Sequence, residues 1–385
     1  MSSKWDIIYV GNEYGTDNRT SSHHIAKRLA ANHNLLYIEA SGLRKPRATG
    51  SDFNKIIARV RKLFSPIRTP EPGLKVKSLF ILPFPNLPFI PWLNKTFTLF
   101  TVRQAAKKCG LSEKVIVWCT VPTLANFIEE LHPSAIVYYC VDDFSALPDV
   151  DVQHILKLDK KLSQSADIIF TPSIPMFEKK KKIYSNVNLS PHGVDVDHFS
   201  MASLPGEMPA ELAEIKGPVV GFFGLIEYWI DIELVCEIGR KLPDVTIIMI
   251  GRVTVNLDVF DIPSNVLFIG QKPYEQLPDY ARRFDVAIIP YVLNQQVFNS
   301  NPLKLREYLA TGKQIVSVSC PEIDKFAHVV NIAKNNEHFV ELVQMSLQAE
   351  LLSNSQERIT SIASETWEAR YETICSHVNA VLKDK

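Results

Sequence analysis

Short runs of consecutive apolar and β-branched residues alternate along the chain with longer segments whose apolar residues recur every three or four positions. The runs "DIIYVG" (6–11), "NLLYIE" (34–39), "KVIVWC" (114–119), "AIVYYC" (135–140) and "DIIFTP" (167–172) lack the in–out alternation of a half-exposed strand. They read as buried strands of a parallel sheet. Helical periodicity between them predicts helices over 22–31, 94–108, 122–131 and 152–165. A polar, proline-containing link near 200–217 leads into a second series, "PVVGFFG" (218–224), "VTIIMIG" (245–251), "NVLFIG" (265–270), "DVAIIP" (285–290) and "QIVSVS" (314–319). Its predicted helices cover 231–240, 274–283, 302–311 and 336–350. The expectation is an α/β protein of two doubly wound, Rossmann-like domains facing a central cleft, with ligands at the carboxyl ends of the strands, where the glycines fall. No short-period repeat competes with it.

A length of 385 residues also favours two domains over one. Formal net charge is zero, but residues 1–110 hold 18 of the 42 basic residues and only 6 of the 42 acidic ones. A basic N-terminal quarter points to an anionic partner, a membrane surface or an acidic substrate. Within it, "NKIIARVRKLF" (54–64) sets Ile56, Ile57, Val60 and Phe64 on one face among Lys55, Arg59, Arg61 and Lys62. Both an interfacial helix and an ordinary amphipathic helix fit that pattern. "FILPFPNLPFIPW" (80–92) is too short and proline-rich to span a bilayer and reads as a loop or interfacial segment, and the lysine run 179–182 could join the same surface. The six cysteines are scattered without a CxxC pair, as expected of reduced, mostly buried thiols. The first residues run into a strand without a signal-peptide pattern, which predicts a cytoplasmic protein.

"NPLKLREYLATGKQIVS" (301–317) carries the most chemical information. Asn301 suits an N-cap, Pro302 a first helical position and Gly312 a left-handed stop. Lys304 then falls in the first turn, where the helix dipole disfavours a cation. An anion between the lysine and the free backbone N–H groups reverses that sign, and a diphosphate would serve. Glu307, three residues on and on the same face, could accept hydrogen bonds from ribose hydroxyls; a solvated Lys–Glu pair is the plainer alternative. Gly221, Gly224 and the "IGR" ending at Gly251–Arg252 add close-approach backbone and a possible bidentate fork. Neither a GxGxxG fingerprint nor a P-loop is present.

These pieces together resemble the GT-B-fold glycosyltransferases, especially the family 4-like group. "PHGVDVDHF" (191–199) is similar to the segment that ends their N-terminal domain, and "VVGFFGLIEYWIDIELV" resembles the opening strand and turn of their donor domain. "NVLFIGQKPYEQLPDYARRFDVAIIPY" (265–291) and "NPLKLREYLATGKQIVS" resemble their L-P…D-V…P run and E-x7-E segment. "SETWEARYETICSHV" (364–378) looks like the final helix crossing back to the first domain. The implied organisation is an acceptor domain over 1–200, a linker over 201–217, a nucleotide-sugar domain over 218–360 and a returning helix over 361–385.

By resemblance, Glu307 takes the ribose-binding position of the second motif glutamate. The first glutamate falls on Asn299, which with Ser300 would meet the donor sugar without a charge. The family's Arg and Lys of the first donor-domain turn are replaced by "LIEYWID", so phosphate charge would rest on Lys304, Arg252 and the helix N-terminus, close to Gly224. The base, uracil by expectation, would lie near "QKPY" (271–274), against Tyr274 or backbone groups after Gly270, and ordinary packing of Tyr274 is an equal alternative.

On the acceptor side, "CVDDFSALPD" (140–149) ends a strand. Asp143, or its neighbour Asp142, could act as general base on the acceptor hydroxyl, or could cap the turn that follows. Gly11, Asp17, Asn18 and Arg19 in the first loop could touch the acceptor or the donor phosphate, whereas His23 and His24 suit solvated or capping roles. No metal motif stands in a suitable place, and the resemblance implies a leaving diphosphate stabilised by side chains and a helix dipole. The expectation is therefore a hexosyltransferase with a UDP-sugar as co-substrate and no metal or other cofactor. Its acceptor would be a glycan or lipid-linked glycan in cell-surface polysaccharide biosynthesis, at the inner face of the plasma membrane; nucleic acid is not expected. The rival readings are a nucleotide-sugar 2-epimerase of the same fold and a non-catalytic glycan- or membrane-binding relative.

Overall fold

The structure is a computed structural model, described here over residues 4–15, 19–40, 66–79 and 89–385. The chain divides into two compact units, Met1–Ser190 with Tyr371–Lys385, and Pro191–Arg370.

The first unit is built on an eight-stranded sheet in the order β3-β4-β2-β1-β5-β6-β7-β8. The strands are β1 (Asp6–Gly11), β2 (Asn34–Glu39), β3 (Arg68–Glu71), β4 (Leu74–Ser78), β5 (Ile116–Cys119), β6 (Ala135–Tyr139), β7 (Ile168–Thr171) and β8 (Val187–Leu189). Pairing is parallel except between β3 and β4. Among the described residues before Ser190, its helices are α1 (Ser21–Asn32), α2 (Ile90–Cys109), α3 (Val152–Ser165) and α4 (Ile174–Lys181). One face of the sheet (Ile8, Val10, Val117, Cys119, Tyr138) shares a core with Leu99 and Val102 of α2, Ile155, Leu158 and Leu162 of α3 and Met176 of α4.

Two departures from the sequence expectation have local causes. The β3–β4 hairpin is legible only as alternation, with Leu74, Val76 and Ser78 buried between Lys75 and Lys77, and the same lysines read first as charge. The helix expected over 122–131 is instead two 3₁₀ turns, Pro122–Leu124 and Ile128–Leu131, because Phe127 leaves helical geometry at φ −145°. The amphipathic segment 54–64 lies outside the described residues, as does most of 80–92. All six cysteines are free and four are buried.

The second unit carries a six-stranded parallel sheet in the order β11-β10-β9-β12-β13-β14. Its strands are β9 (Val219–Phe223), β10 (Thr246–Ile250), β11 (Val266–Phe268), β12 (Val286–Ile289), β13 (Gln314–Val318) and β14 (Asn331–Ala333). Its helices are α5 (Val196–Ser200), α6 (Ala210–Ala213), α7 (Ile232–Lys241), α8 (Leu277–Arg282), α9 (Gln295–Asn299), α10 (Leu303–Thr311), α11 (Pro321–Asp324), α12 (Asn336–Gln348) and α13 (Ser355–Ile362). The last helix, α14 (Trp367–Lys383), belongs to the first unit from Tyr371 onward. Strand order reverses between β9 and β12, so the turn after β9 stands at the position where doubly wound sheets bind ligands.

Candidate functional site

Gly224 follows β9 and Gly251 follows β10, at φ +152° and +149°, a region open in practice to glycine. Their strands run side by side, and a Cβ on Gly251 would lie 1.7 Å from the Gly224 carbonyl oxygen. Two turns thus close onto each other with bare backbone, as a phosphate-binding surface needs. A Cβ on Gly224 would stand 2.8 Å from Cε of Lys304, so the lysine stem crosses directly over this turn.

Lys304 lies in the first turn of α10, and its Nζ is 2.6 Å from Oε2 of Glu307, with both side chains largely buried. The ammonium also stands 4.7 Å from the ring centroid of Phe223, the last residue of β9. Phe223 is held in turn by Tyr308, whose hydroxyl accepts from the Phe223 N–H at 2.8 Å. Tyr308 is four residues from Lys304 on the same helical face, a support the spacing could have revealed but which reads as core. A largely buried cation beside two glycine turns can neutralise a diphosphate, while its carboxylate partner keeps acceptor capacity for hydroxyls.

Asn301 does not cap α10; the capping position is Pro302. Its amide is used elsewhere, donating to Glu322 Oε2 at 2.8 Å and accepting from the His192 N–H at 3.4 Å, which leaves the first N–H groups of the helix without a side-chain cap. Gly312 stops the helix at φ +71° as expected. Gly221, however, is a packing glycine, since a Cβ there would meet the Phe284 ring at 2.3 Å.

Arg252 is exposed, and its carbonyl accepts from the Ile226 N–H at 3.0 Å. Asn299 is buried at the end of α9, where it accepts from Gln295 Nε2 at 3.1 Å; neighbouring Ser300 donates to the Val297 carbonyl at 2.8 Å. Tyr274 is held by the "PHGVDVDHF" segment. Its hydroxyl donates to Asp195 Oδ2 at 2.9 Å, and its ring stacks on His198 at 4.7 Å. The structure therefore brings together Gly224, Lys304 and Glu307 in one cluster, and gives Tyr274 and Asn299 anchoring contacts of their own.

In the first unit, Asp143 follows β6 and caps the 3₁₀ turn Phe144–Ala146, its Oδ1 accepting from Ser145 N–H at 3.2 Å and Ser145 Oγ at 2.5 Å. Its Oδ2 stands 3.5 Å from Lys179 Nζ. Asp142 accepts from the Asp143 N–H at 2.8 Å. Burial pushes the neighbouring Cys140 thiol up to about 12, so it stays protonated and is no nucleophile at neutral pH.

Gly11 ends β1, where a Cβ would meet the Tyr37 hydroxyl oxygen at 2.3 Å. That hydroxyl donates to the Asn12 carbonyl at 2.7 Å. Glu39 holds the same loop by accepting from the Tyr14 N–H at 2.7 Å, from Ser78 Oγ at 2.5 Å and from Arg68. Arg19 is half-buried, and its charge acts on Tyr14 and Glu71. Asp17 and Asn18 lie outside the described residues. His23 takes the capping role, forming a capping box with Thr20 at the start of α1. Among the described residues, no group of three or more His, Cys, Asp or Glu could hold a metal ion.

No protein-family model matches the sequence. Over 352 residues, 84% of each chain, it is 27% identical to TuaH of Bacillus subtilis (strain 168), assigned by its name to teichuronic acid biosynthesis as a glycosyltransferase. Sucrose-phosphate synthase from Thermosynechococcus elongatus superposes with a TM-score of 0.71 at 14% identity, covering 99% of this chain and 100% of that one. The chain has the GT-B glycosyltransferase fold. HepE of Anabaena, solved in complex with UDP and glucose, matches this GT-B chain with a TM-score of 0.68 at 12% identity, covering 97% and 99%.

Proposed function

We propose that this GT-B glycosyltransferase moves a hexosyl unit from a UDP-sugar, bound in the second unit, to a glycan or lipid-linked glycan acceptor bound in the first, in the assembly of a cell-surface polysaccharide. The observation that carries the reading is the cluster of Lys304, Glu307 and the paired glycine turns at the reversal of strand order. In the reaction, the acceptor oxygen attacks the anomeric carbon as its proton passes to a carboxylate. The bond from that carbon to the diphosphate breaks, and UDP leaves. Lys304 and the first backbone N–H groups of α10, which no side chain caps, hold the charge that develops on the diphosphate. Asp143 is the proposed proton acceptor. The UDP-bound HepE structure and the TuaH relationship support UDP and the polysaccharide setting respectively.

Calorimetric titration of UDP and GDP tests the donor site. UDP is expected to bind, and Lys304→Ala to weaken it by about 2 kcal/mol, roughly thirtyfold, the scale of a hydrogen bond to a charged group. If neither nucleotide binds the wild type, the donor reading is wrong.

Attachment to a membrane surface is supported by α2 and the residue before it. Phe89, Trp92, Phe97 and Phe100 are 55–76% exposed, and they are followed on the helix by exposed Arg103, Lys107 and Lys108. Bulky aromatics beside cations suit the headgroup boundary of an anionic bilayer. No described helix is long and apolar enough to cross a membrane, so attachment would be peripheral. Trp92→Glu with Phe100→Glu is expected to reduce flotation with phosphatidylglycerol vesicles at least tenfold while leaving UDP affinity unchanged. Equal flotation would refute this face as the anchor.

A further inference from the structure

The first unit contains a cavity of about 360 Å³ between the end of β6, α3 and the end of α4. That is the lower end of the range for small-ligand sites, about 300–1,000 Å³. Its walls include Phe144, Ile155, Leu156, Met176 and Ile183. The polar groups in its floor are already matched. Lys180 Nζ reaches both oxygens of Asp159 at 2.9 and 2.8 Å and Ser163 Oγ at 2.9 Å, and the Tyr138 hydroxyl donates to Asp159 at 2.6 Å. A sugar would find few polar atoms open to it on such walls, whereas a hydrocarbon chain needs none.

The lining residues near solvent are of a different character. Ile183 is 69% and Leu156 40% exposed, an apolar lip that water covers unfavourably. Beside that lip stand the exposed lysines Lys160 and Lys179, and among the described residues Lys160 has no ion pair. Lys179 lies 3.5 Å from Asp143, which itself lines the cavity. Apolar walls, a compensated floor and cations next to the proposed base define a ligand with a hydrocarbon chain and an anionic head.

We propose that this cavity holds the lipid chain of the acceptor, with the acceptor's phosphate on Lys160 and Lys179. This rests on the glycosyltransferase reading and narrows it to a sugar borne on a lipid phosphate. A phosphate on Lys179 would stand next to Asp143, which brings the first sugar beyond it within reach of the base. The same core carries α2, with its exposed aromatic residues, on the same face of the sheet as α3 and α4.

The test is equilibrium binding of farnesyl phosphate below its micellar concentration, with farnesol and inorganic pyrophosphate alongside and UDP titrated in parallel. Farnesyl phosphate is expected to bind at least tenfold more tightly than farnesol or pyrophosphate. Met176→Trp, which fills the cavity, and Lys160→Glu should each weaken it tenfold or more with UDP affinity unchanged. Ile183→Glu, at an exposed position, gives the same reading should Met176→Trp fail to fold. If UDP binds but farnesyl phosphate does not, or if it binds all these variants equally, the cavity assignment is overturned while the donor site stands. If UDP also fails to bind, the UDP-sugar reading fails with it. A concentration-dependent dimer dispersed by Ile183→Glu would assign the lip to a second copy of the chain instead and overturn the proposal.

Discussion

Asp143→Asn is expected to lower kcat by about two to four orders of magnitude, the usual contribution of a positioned general base, while UDP affinity stays at the wild-type value. Asparagine is the informative replacement because it caps as well as aspartate does. The contacts from Ser145 N–H and Oγ at 3.2 and 2.5 Å need an acceptor oxygen, not a charge, so the turn should survive. What is lost is proton affinity and the attraction to Lys179 at 3.5 Å. UDP release from a UDP-hexose, with a membrane lipid extract as the acceptor source, measures the rate, and Ser145→Ala separates damage to the cap from loss of the base. A rate within twofold of wild type would leave Asp143 as a cap alone, and Asp142 would become the next residue to test.

Gly251→Ala should be the most damaging single-methyl change in the second unit. The new Cβ would sit 1.7 Å from the Gly224 carbonyl oxygen, a backbone atom that cannot rotate away, and the residue would hold φ +149° against its preference. A cost of about 3 kcal/mol or more is expected, read as a lower urea midpoint for the second unit together with loss of UDP binding. Gly224→Ala is the useful contrast. Its Cβ meets the flexible Lys304 stem at 2.8 Å, so stability should fall less while UDP affinity drops, because the lysine is pushed off the turn. Equal stability losses in the two variants would show that the turns do not depend on this close approach.

The GT-B fold and the pairing of Lys304 with Glu307 were legible in the sequence because their signals are local. Strands buried on both faces produce unbroken apolar runs, and Asp6–Gly11 and Asn34–Glu39 appear as the pattern predicted. Lys304 and Glu307 share a helix, so three residues of separation determine their proximity whatever the rest of the chain does. Gly312 likewise stops its helix by a one-residue conformational requirement.

Other features depended on partners far away in the chain. Gly221 gave the same sequence signal as Gly224, and only the position of Phe284 distinguishes a packing glycine from one beneath a lysine. Asn301 was a sound N-cap by local rules, but the stronger partners His192 and Glu322, 109 and 21 residues away, took its amide. The β3–β4 hairpin was hidden because one sequence property, the lysines of "LKVKS", served both charge and alternation. The cavity beside Asp143 had no sequence signature at all. Its walls come from a strand end and two helices spread over 45 positions, from Cys140 to Tyr184, and its compensated floor exists only because Lys180 and Asp159 meet across them. The sequence by itself determined the element order, the fold family and the pairing of Lys304 with Glu307, because those follow from backbone periodicity and contacts within a helical turn. The tertiary structure alone decided which glycine lies beneath Lys304 and which packs on Phe284, and where the first unit is hollow, because close packing is a relation between segments that no single segment encodes.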